Sequence, residues 1–158
     1  MSFNRNDPAD LAALKAEATN DPQGIGYTVL TDGNATKFID EISAKNYTVE
    51  KPKISSALVR STCTYEAFDG LLGPEQGWLT WMTGSNGFDE ENLVVTADVR
   101  QNLAGDPTAN DAIWAASDRN AMNAAMLALI NVSGSRAEVL FGYGTTLTIN
   151  DWVASRDS

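Results

Sequence analysis

Hydrophobic positions recur with helical spacing along most of this chain, and the densest run lies at residues 111–130. Within it, Met122, Met126 and Leu129 follow i, i+4, i+7 spacing, and the alanines between them permit close approach of neighbouring helices. The pattern therefore predicts a central helix at about 119–130, around which the rest of the chain packs.

Capping residues predict where other helices begin and end. Asp7 followed by Pro8 is typical of a helix start. Ser135 with Glu138 three residues later matches a capping box, and Gly142 is placed to end that helix. Further helix starts are predicted at N-capping residues, namely Asp32 or Asn34, Ser55 or Ser56, and Thr148 with Asp151.

Residues 46–54 lack helical spacing. Tyr47, Val49 and the constraint of Pro52 favour extended backbone there. Residues 131–135 have the composition of a turn. We therefore predict an all-α fold: a single compact domain over residues 1–158, with about seven to nine short helices and one extended connector at about 46–54.

Length and composition narrow the classes of function. A chain of 158 residues with 43% hydrophobic and 20% charged residues is ordinary for one globular domain. It has no histidine, the commonest general base and transition-metal ligand, and its one cysteine excludes an internal disulfide. Cys63, without any histidine, is typical of a packed side chain rather than a nucleophile.

The net charge of the chain is −10, and it is unevenly distributed. Residues 1–60 contain 7 basic and 8 acidic residues, whereas residues 61–158 contain 4 and 13. A nucleic-acid-binding protein normally presents a basic face, so we expect no direct contact with nucleic acid. No apolar run approaches the roughly 20 residues that span a bilayer, and the opening residues show no apolar signal core. We therefore expect neither a membrane contact nor secretion.

Two groups of residues are candidates for contact with a protein partner. One is the locally basic segment 45–60, whose cationic residues are Lys45, Lys51, Lys53 and Arg60. This segment is either a solvated connector or an arm that lies against a partner or the acidic half of a neighbouring copy. The other group is Trp78 and Trp81, which share one face of a predicted helix. They are either core residues or, if exposed, contact residues.

The loop at residues 83–92 is rich in glycine and carboxylates. Its oxygen ligands do not follow the spacing of the helix–loop–helix calcium site, so a surface loop or helix cap is the simpler interpretation and calcium is an alternative. Its adjacent carboxylates also differ from the facing pair that a glycosidase needs, because such pairs come from elements distant in sequence. We predict no catalytic residue, no cofactor and no metal site.

Three stretches carry a resemblance to a known family. They are LKAEATNDPQGIGYTVLTD (14–32), NYTVEKPKISSAL (46–58) and SRAEVLFGYGTTLTINDWVASR (135–156). In their order, this chain resembles small, mostly helical proteins encoded among the virion structural genes of tailed bacteriophages. The middle, residues 62–130, departs from that pattern. The resemblance implies a virion or assembly role and brings no catalytic residue with it.

The resemblance and the composition together favour one class of function. We expect a non-enzymatic structural or assembly component of a tailed phage particle, at the neck, tail, baseplate or capsid. It would be made in the host cytoplasm and bind other virion proteins as multiple copies in a symmetric assembly. One alternative is a soluble inhibitor of a host protein that mimics nucleic acid with its acidic residues 61–158. Another is an enzyme with carboxylate chemistry, which two carboxylates converging in a deep pocket would support.

Overall fold

The computed structural model describes residues 2–28, 32–62, 69, 73, 76, 77, 80, 93–96 and 120–158. Within them lie six α-helices, one 3₁₀-helix at Asp32–Asn34 and four short strands. The helices are α1 Pro8–Asn20, α2 Ala35–Ser43, α3 Ser56–Ser61, α4 Asn120–Ile130, α5 Arg136–Phe141 and α6 Ile149–Arg156. The strands are β1 Tyr47–Glu50, β2 Lys53–Ile54, β3 Leu93–Val94 and β4 Asn131–Gly134.

The fold of the described residues is mixed α/β, so the prediction of an all-α protein with seven to nine helices is wrong. The strands form two small antiparallel sheets, which pair β1 with β4 and β2 with β3. The segment at 46–54, predicted to be an extended connector, contributes both β1 and β2. In β1, buried Val49 lies between exposed Thr48 and Glu50, which is the alternation of a strand with one covered face.

Strand β4 replaces the turn expected at residues 131–135. Asparagine and glycine are depleted in strands, so local propensity does not favour one here. Tertiary contacts override that preference. The Ser133 hydroxyl donates a hydrogen bond of 2.9 Å to the Lys45 carbonyl, and Gly134 lies directly against the Val49 side chain. The strand therefore depends on a partner that is distant in sequence.

The chain divides into two compact units. Unit 1 is formed by two segments, Met1–Val49 and Ser133–Ser158, and unit 2 is Glu50–Val132. Unit 2 is thus continuous in sequence, whereas unit 1 is discontinuous. The single domain expected from the chain length stays a prediction.

Four helices of unit 1, namely α1, α2, α5 and α6, enclose its core. The ring of Phe38 packs between Tyr27 and Trp152, with ring centroids 5.1 Å and 4.9 Å away. Aromatic pairs at such distances add to the stabilisation from burying their area. The buried hydrophobic cluster consists of Leu14, Ala18, Ala35, Phe38, Ile42, Ala137, Phe141, Leu147 and Trp152.

The caps predicted for unit 1 are largely confirmed. The Asp7 side chain accepts from the Ala9 N–H at the start of α1, and Pro8 occupies the first turn. The predicted capping box of Ser135 with Glu138 is formed at α5, and Thr148 with Asp151, predicted to cap the last helix, also form a capping box at α6. Gly142 ends α5 with a φ of 99°, which favours glycine. Helix α2 differs slightly, because Asn34 holds the N-cap position without a side-chain capping bond.

Unit 2 is described through α3, α4, β2 and β3. Ser55 caps α3 as predicted by accepting from the Leu58 N–H, and the β2–β3 register pairs Lys53 with Val94. Helix α4 confirms the helix predicted at about 119–130, and it ends on the fully buried Ile130. Its described alanines at 124, 125 and 128 are exposed, so they do not form the covered small-residue face expected of a central helix.

Several predictions concern parts of the chain that lie outside the described residues. They involve Cys63, Trp78, Trp81, the side chains of Met122 and Met126, and the acidic loop at 83–92.

Candidate functional site: a basic segment and three buried carboxylates

The predicted basic segment does not act as one group. Lys45 belongs to unit 1, and its ammonium is bound by the buried Glu138 carboxylate. Lys53 on β2 and Arg60 on α3 are exposed in unit 2. Lys51 is half-buried, and its backbone N–H donates to the Ile130 carbonyl at 2.9 Å. Lys53 and Arg60 are therefore the cations of this segment that are best placed to meet a partner.

Exposed apolar side chains accompany these two cations in unit 2. Val94 is 53% exposed and is the cross-strand partner of Lys53, so the two side chains emerge on the same face of the β2–β3 sheet. Leu58 is equally exposed and precedes Arg60 on α3. Apolar side chains beside cations are the composition of a protein-contact surface. Unit 1 exposes a further three large hydrophobic residues, Val139, Tyr143 and Ile149.

Three carboxylates are buried among the described residues of unit 1, and sequence reasoning did not identify them as a set. Glu17, Glu138 and Asp151 are 4%, 4% and 6% exposed, and each is bound by a cation. In every case the carboxylate and its cation come from different segments of unit 1. The pairs are Glu17 with Arg136, Glu138 with Lys45, and Asp151 with Arg5.

Glu17 is the most completely paired of the three. Arg136 donates from Nε to Oε1 at 2.7 Å and from Nη2 to Oε2 at 2.8 Å, and the Tyr27 hydroxyl donates to Oε1 at 2.9 Å. The hydrogen bonds from Arg136 lower the pKa of Glu17, against an opposing effect of burial. Burial and the bond to Glu17 in turn raise the pKa of Tyr27. This cluster joins α1 to α5.

Glu138 connects three parts of unit 1. Its carboxylate accepts from the N–H of Ser135 at 2.8 Å, from the N–H of Gly144 at 3.0 Å and from the Lys45 ammonium. Burial by itself would raise the pKa of Glu138, but the bond from Lys45 and the two backbone N–H groups outweigh it and lower the pKa to about 2. Glu138 is therefore ionised at neutral pH.

Asp151 combines a helix cap with an ion pair. Its carboxylate accepts from the Thr148 N–H at 2.8 Å and the Thr148 hydroxyl at 2.7 Å, and the Arg5 Nε donates to it at 2.8 Å. Burial opposes ionisation, but the bonds from Thr148 and Arg5 prevail and lower the pKa of Asp151. The segment before α1 is thereby fastened to the N-terminus of α6.

These carboxylates are suited to holding the fold together. A general acid or base needs a pKa near the working pH and a free oxygen directed at substrate, whereas all three have lowered pKa values and oxygens occupied by internal donors. Two shallow grooves open on unit 1, one along α1 and one beside Arg5, and Asp151 is the one acidic side chain among the described residues that line them. The described residues include no group of three or more acidic or cysteine side chains placed to hold a metal ion.

Part of this pattern is visible in the sequence. Glu17 lies between Leu14 and Ala18 on the apolar side of α1, and a carboxylate on a buried helix face requires a cation. Nothing local identifies that cation as Arg136, because 119 residues separate the two.

No family model, curated protein or solved structure matches the chain. Among the described helices, none combines the length and apolar character needed to cross a bilayer.

Proposed function

We propose that the chain is a non-enzymatic structural or assembly component of a tailed bacteriophage virion, present in multiple copies and acting through contacts with other virion proteins. The observation that carries this proposal is that each of the three buried carboxylates binds a cation of the same chain. The exposed cations and apolar side chains of unit 2 are then the groups that we propose meet other molecules. The phage-like stretches at 14–32, 46–58 and 135–156 support the virion as the setting.

The residues proposed to make this contact are Lys53 and Val94 on the β2–β3 sheet and Leu58 and Arg60 on α3, and we call them together the basic–apolar surface. The two apolar residues supply area whose burial favours association, at about 25 cal/mol per Å². The two cations select an acidic partner surface and steer its approach. A neighbouring copy is the proposed source of such a surface, because residues 61–158 carry 13 acidic and 4 basic residues, of which the acidic Glu138 and Asp151 are buried in ion pairs. Trp78 and Trp81 stay candidate contact residues.

Charge reversal on the basic–apolar surface tests the mechanism. Lys53→Glu combined with Arg60→Glu should lower the amount of chain recovered in purified particles several-fold, because both cations would become repulsive toward an acidic partner. Lys37→Glu is the matched control, since Lys37 is also exposed but lies on α2 in unit 1. Circular dichroism should show unchanged helix in every variant. Normal incorporation of the double variant would contradict the proposed surface.

The charge imbalance of residues 61–158 favours one alternative, an acidic inhibitor that mimics nucleic acid. That function predicts salt-sensitive binding to a basic host protein, together with particles that lack the chain. It also predicts that the double reversal of Lys53 and Arg60 would not weaken binding, since cations play no part in such mimicry. The two functions therefore give opposite results in the same variant.

A further inference from the structure

Three buried ion pairs join the two segments of unit 1, each between a residue of 1–49 and a residue of 133–158. This arrangement goes beyond the proposed function and concerns how the chain folds. We infer that residues 1–49 and 133–158 form a self-sufficient folding unit, fastened by three ion pairs between the segments, into which residues 50–132 are inserted.

The hydrophobic core of unit 1 is shared between its two segments. Phe38 of the first segment packs on Trp152 of the second, and Phe3 meets Phe141 edge-to-face with ring centroids 5.1 Å apart. The Ser155 hydroxyl adds a hydrogen bond of 2.7 Å to the Leu11 carbonyl. Each segment by itself would leave its own part of this core uncovered, so we infer that the two segments fold together.

The buried charges impose the same requirement. The first segment alone would bury Glu17 without its cation, and the second alone would bury Glu138 and Asp151 without theirs. Leaving a buried charge unpaired is strongly unfavourable. Joining the segments pairs all three carboxylates at once, and no described residue of 50–132 takes part in these pairs.

The points where unit 2 leaves and rejoins unit 1 are adjacent. Val49 is the last residue of the first segment, and its side chain lies against Gly134, the second residue of the other segment. Ser133, where the second segment begins, is hydrogen-bonded to the Lys45 carbonyl. The insertion therefore begins and ends at neighbouring positions, as is usual where one folding unit accommodates another.

Cleavage within unit 2 of the full chain tests this inference. A recognition sequence for a specific protease is placed after Gly73, which is exposed and has open space around its Cα. After cleavage, the two fragments should co-elute under native conditions. Amide hydrogen exchange in α1, α2, α5 and α6 should stay within about threefold of the uncut chain. Separation of the fragments, or a large loss of protection in those four helices, would overturn the inference.

A pair of variants tests the role of the ion pairs in the cleaved chain. Arg136→Gln removes the cation from buried Glu17 and should make the fragments separate at a several-fold lower urea concentration. Lys37→Gln is the control, because Lys37 is exposed on α2 and belongs to none of the three ion pairs. Equal separation of the fragments in the two variants would show that the ion pairs do not fasten the unit.

Discussion

Arg136 binds Glu17 through two parallel hydrogen bonds, from Nε to Oε1 at 2.7 Å and from Nη2 to Oε2 at 2.8 Å. The side chains are 12% and 2% exposed, so this pair is largely shielded from water and from screening ions. It connects residues 119 positions apart in sequence.

Removing the Arg136 cation should destabilise unit 1. Arg136→Gln leaves the Glu17 carboxylate buried without a counter-ion, at a cost of about 3–5 kcal/mol. Urea unfolding followed by tryptophan fluorescence measures the loss, since Trp152 lies in the same core. Lys37→Gln, at an exposed position on α2 outside the ion pairs, should change stability little. A Glu17→Gln/Arg136→Gln double variant should lose less than the sum of its single variants. Strict additivity would contradict a coupled pair.

Substitution of Lys45 should change the stability of the chain, whereas substitution of Lys53 should change its binding to a partner. Lys45→Gln deprives buried Glu138 of its cation and should cost about 1–2 kcal/mol in unfolding free energy. The loss is moderate because Glu138 keeps two backbone donors and Lys45 is 57% exposed. Lys53→Gln, at an exposed position on β2, should leave stability unchanged and reduce incorporation into particles. A stability loss in Lys53→Gln, with none in Lys45→Gln, would contradict the positions of both lysines.

Gly134 should not tolerate a side chain. A Cβ at this position would lie 2.3 Å from Val49 Cγ2 and 2.6 Å from Val49 Cγ1. Gly134→Ala should therefore destabilise by about 1–3 kcal/mol through overpacking. Val49→Ala in the same chain should recover part of that loss by removing both methyl groups. Gly73→Ala, with nothing within 4 Å, is the control. Equal thermal unfolding temperatures for Gly134→Ala and Gly73→Ala would contradict this prediction.

Unit 1 should lose stability in acid. The pKa of Glu138 falls from 4.5 to about 2 on folding, and those of Glu17 and Asp151 are also lowered. A carboxyl with a lowered folded pKa stabilises fully above its unfolded pKa, and that stabilisation disappears as the pH falls through the folded pKa. We therefore expect a progressive loss between about pH 5 and pH 2, of which Glu138 supplies about 3 kcal/mol.

Urea unfolding at a series of pH values measures this loss. Glu138→Gln should be less stable than the parent at neutral pH and should show a flatter profile in acid, because the substituted amide does not titrate. A parent profile that stays level from neutral pH to about pH 3 would contradict the ionised buried carboxylates.

Local signals in the sequence predicted the caps of unit 1 and the extended backbone of β1, but they did not predict its pairing or strand β4. Each N-capping side chain accepts from a backbone N–H within three residues, so a short stretch of sequence is enough to predict its role; the three are Asp7, Ser135 and Thr148. Strand β4 has little strand propensity, and its conformation follows from pairing with β1 far away in the chain. The all-α prediction failed because it rested on local spacing alone.

The candidate site, too, was predicted in part from the sequence and depends in part on contacts between distant residues. The basic segment 45–60 was evident as composition, but its separation into a structural Lys45 and exposed Lys53 and Arg60 depends on Glu138, which folding brings to Lys45. Glu138 itself was predicted only as the partner of Ser135 in a capping box, a role that it also fills. Composition thus identified which residues carry charge, whereas the fold determines which charges remain available.

Quantitative mass spectrometry of purified particles tests the central claim most directly. If the chain is a structural component, its peptides will be present at a fixed ratio to a major virion protein, corresponding to several copies per particle, and that ratio will survive washing in high salt. Particles that assemble normally and contain none of the chain would contradict the account.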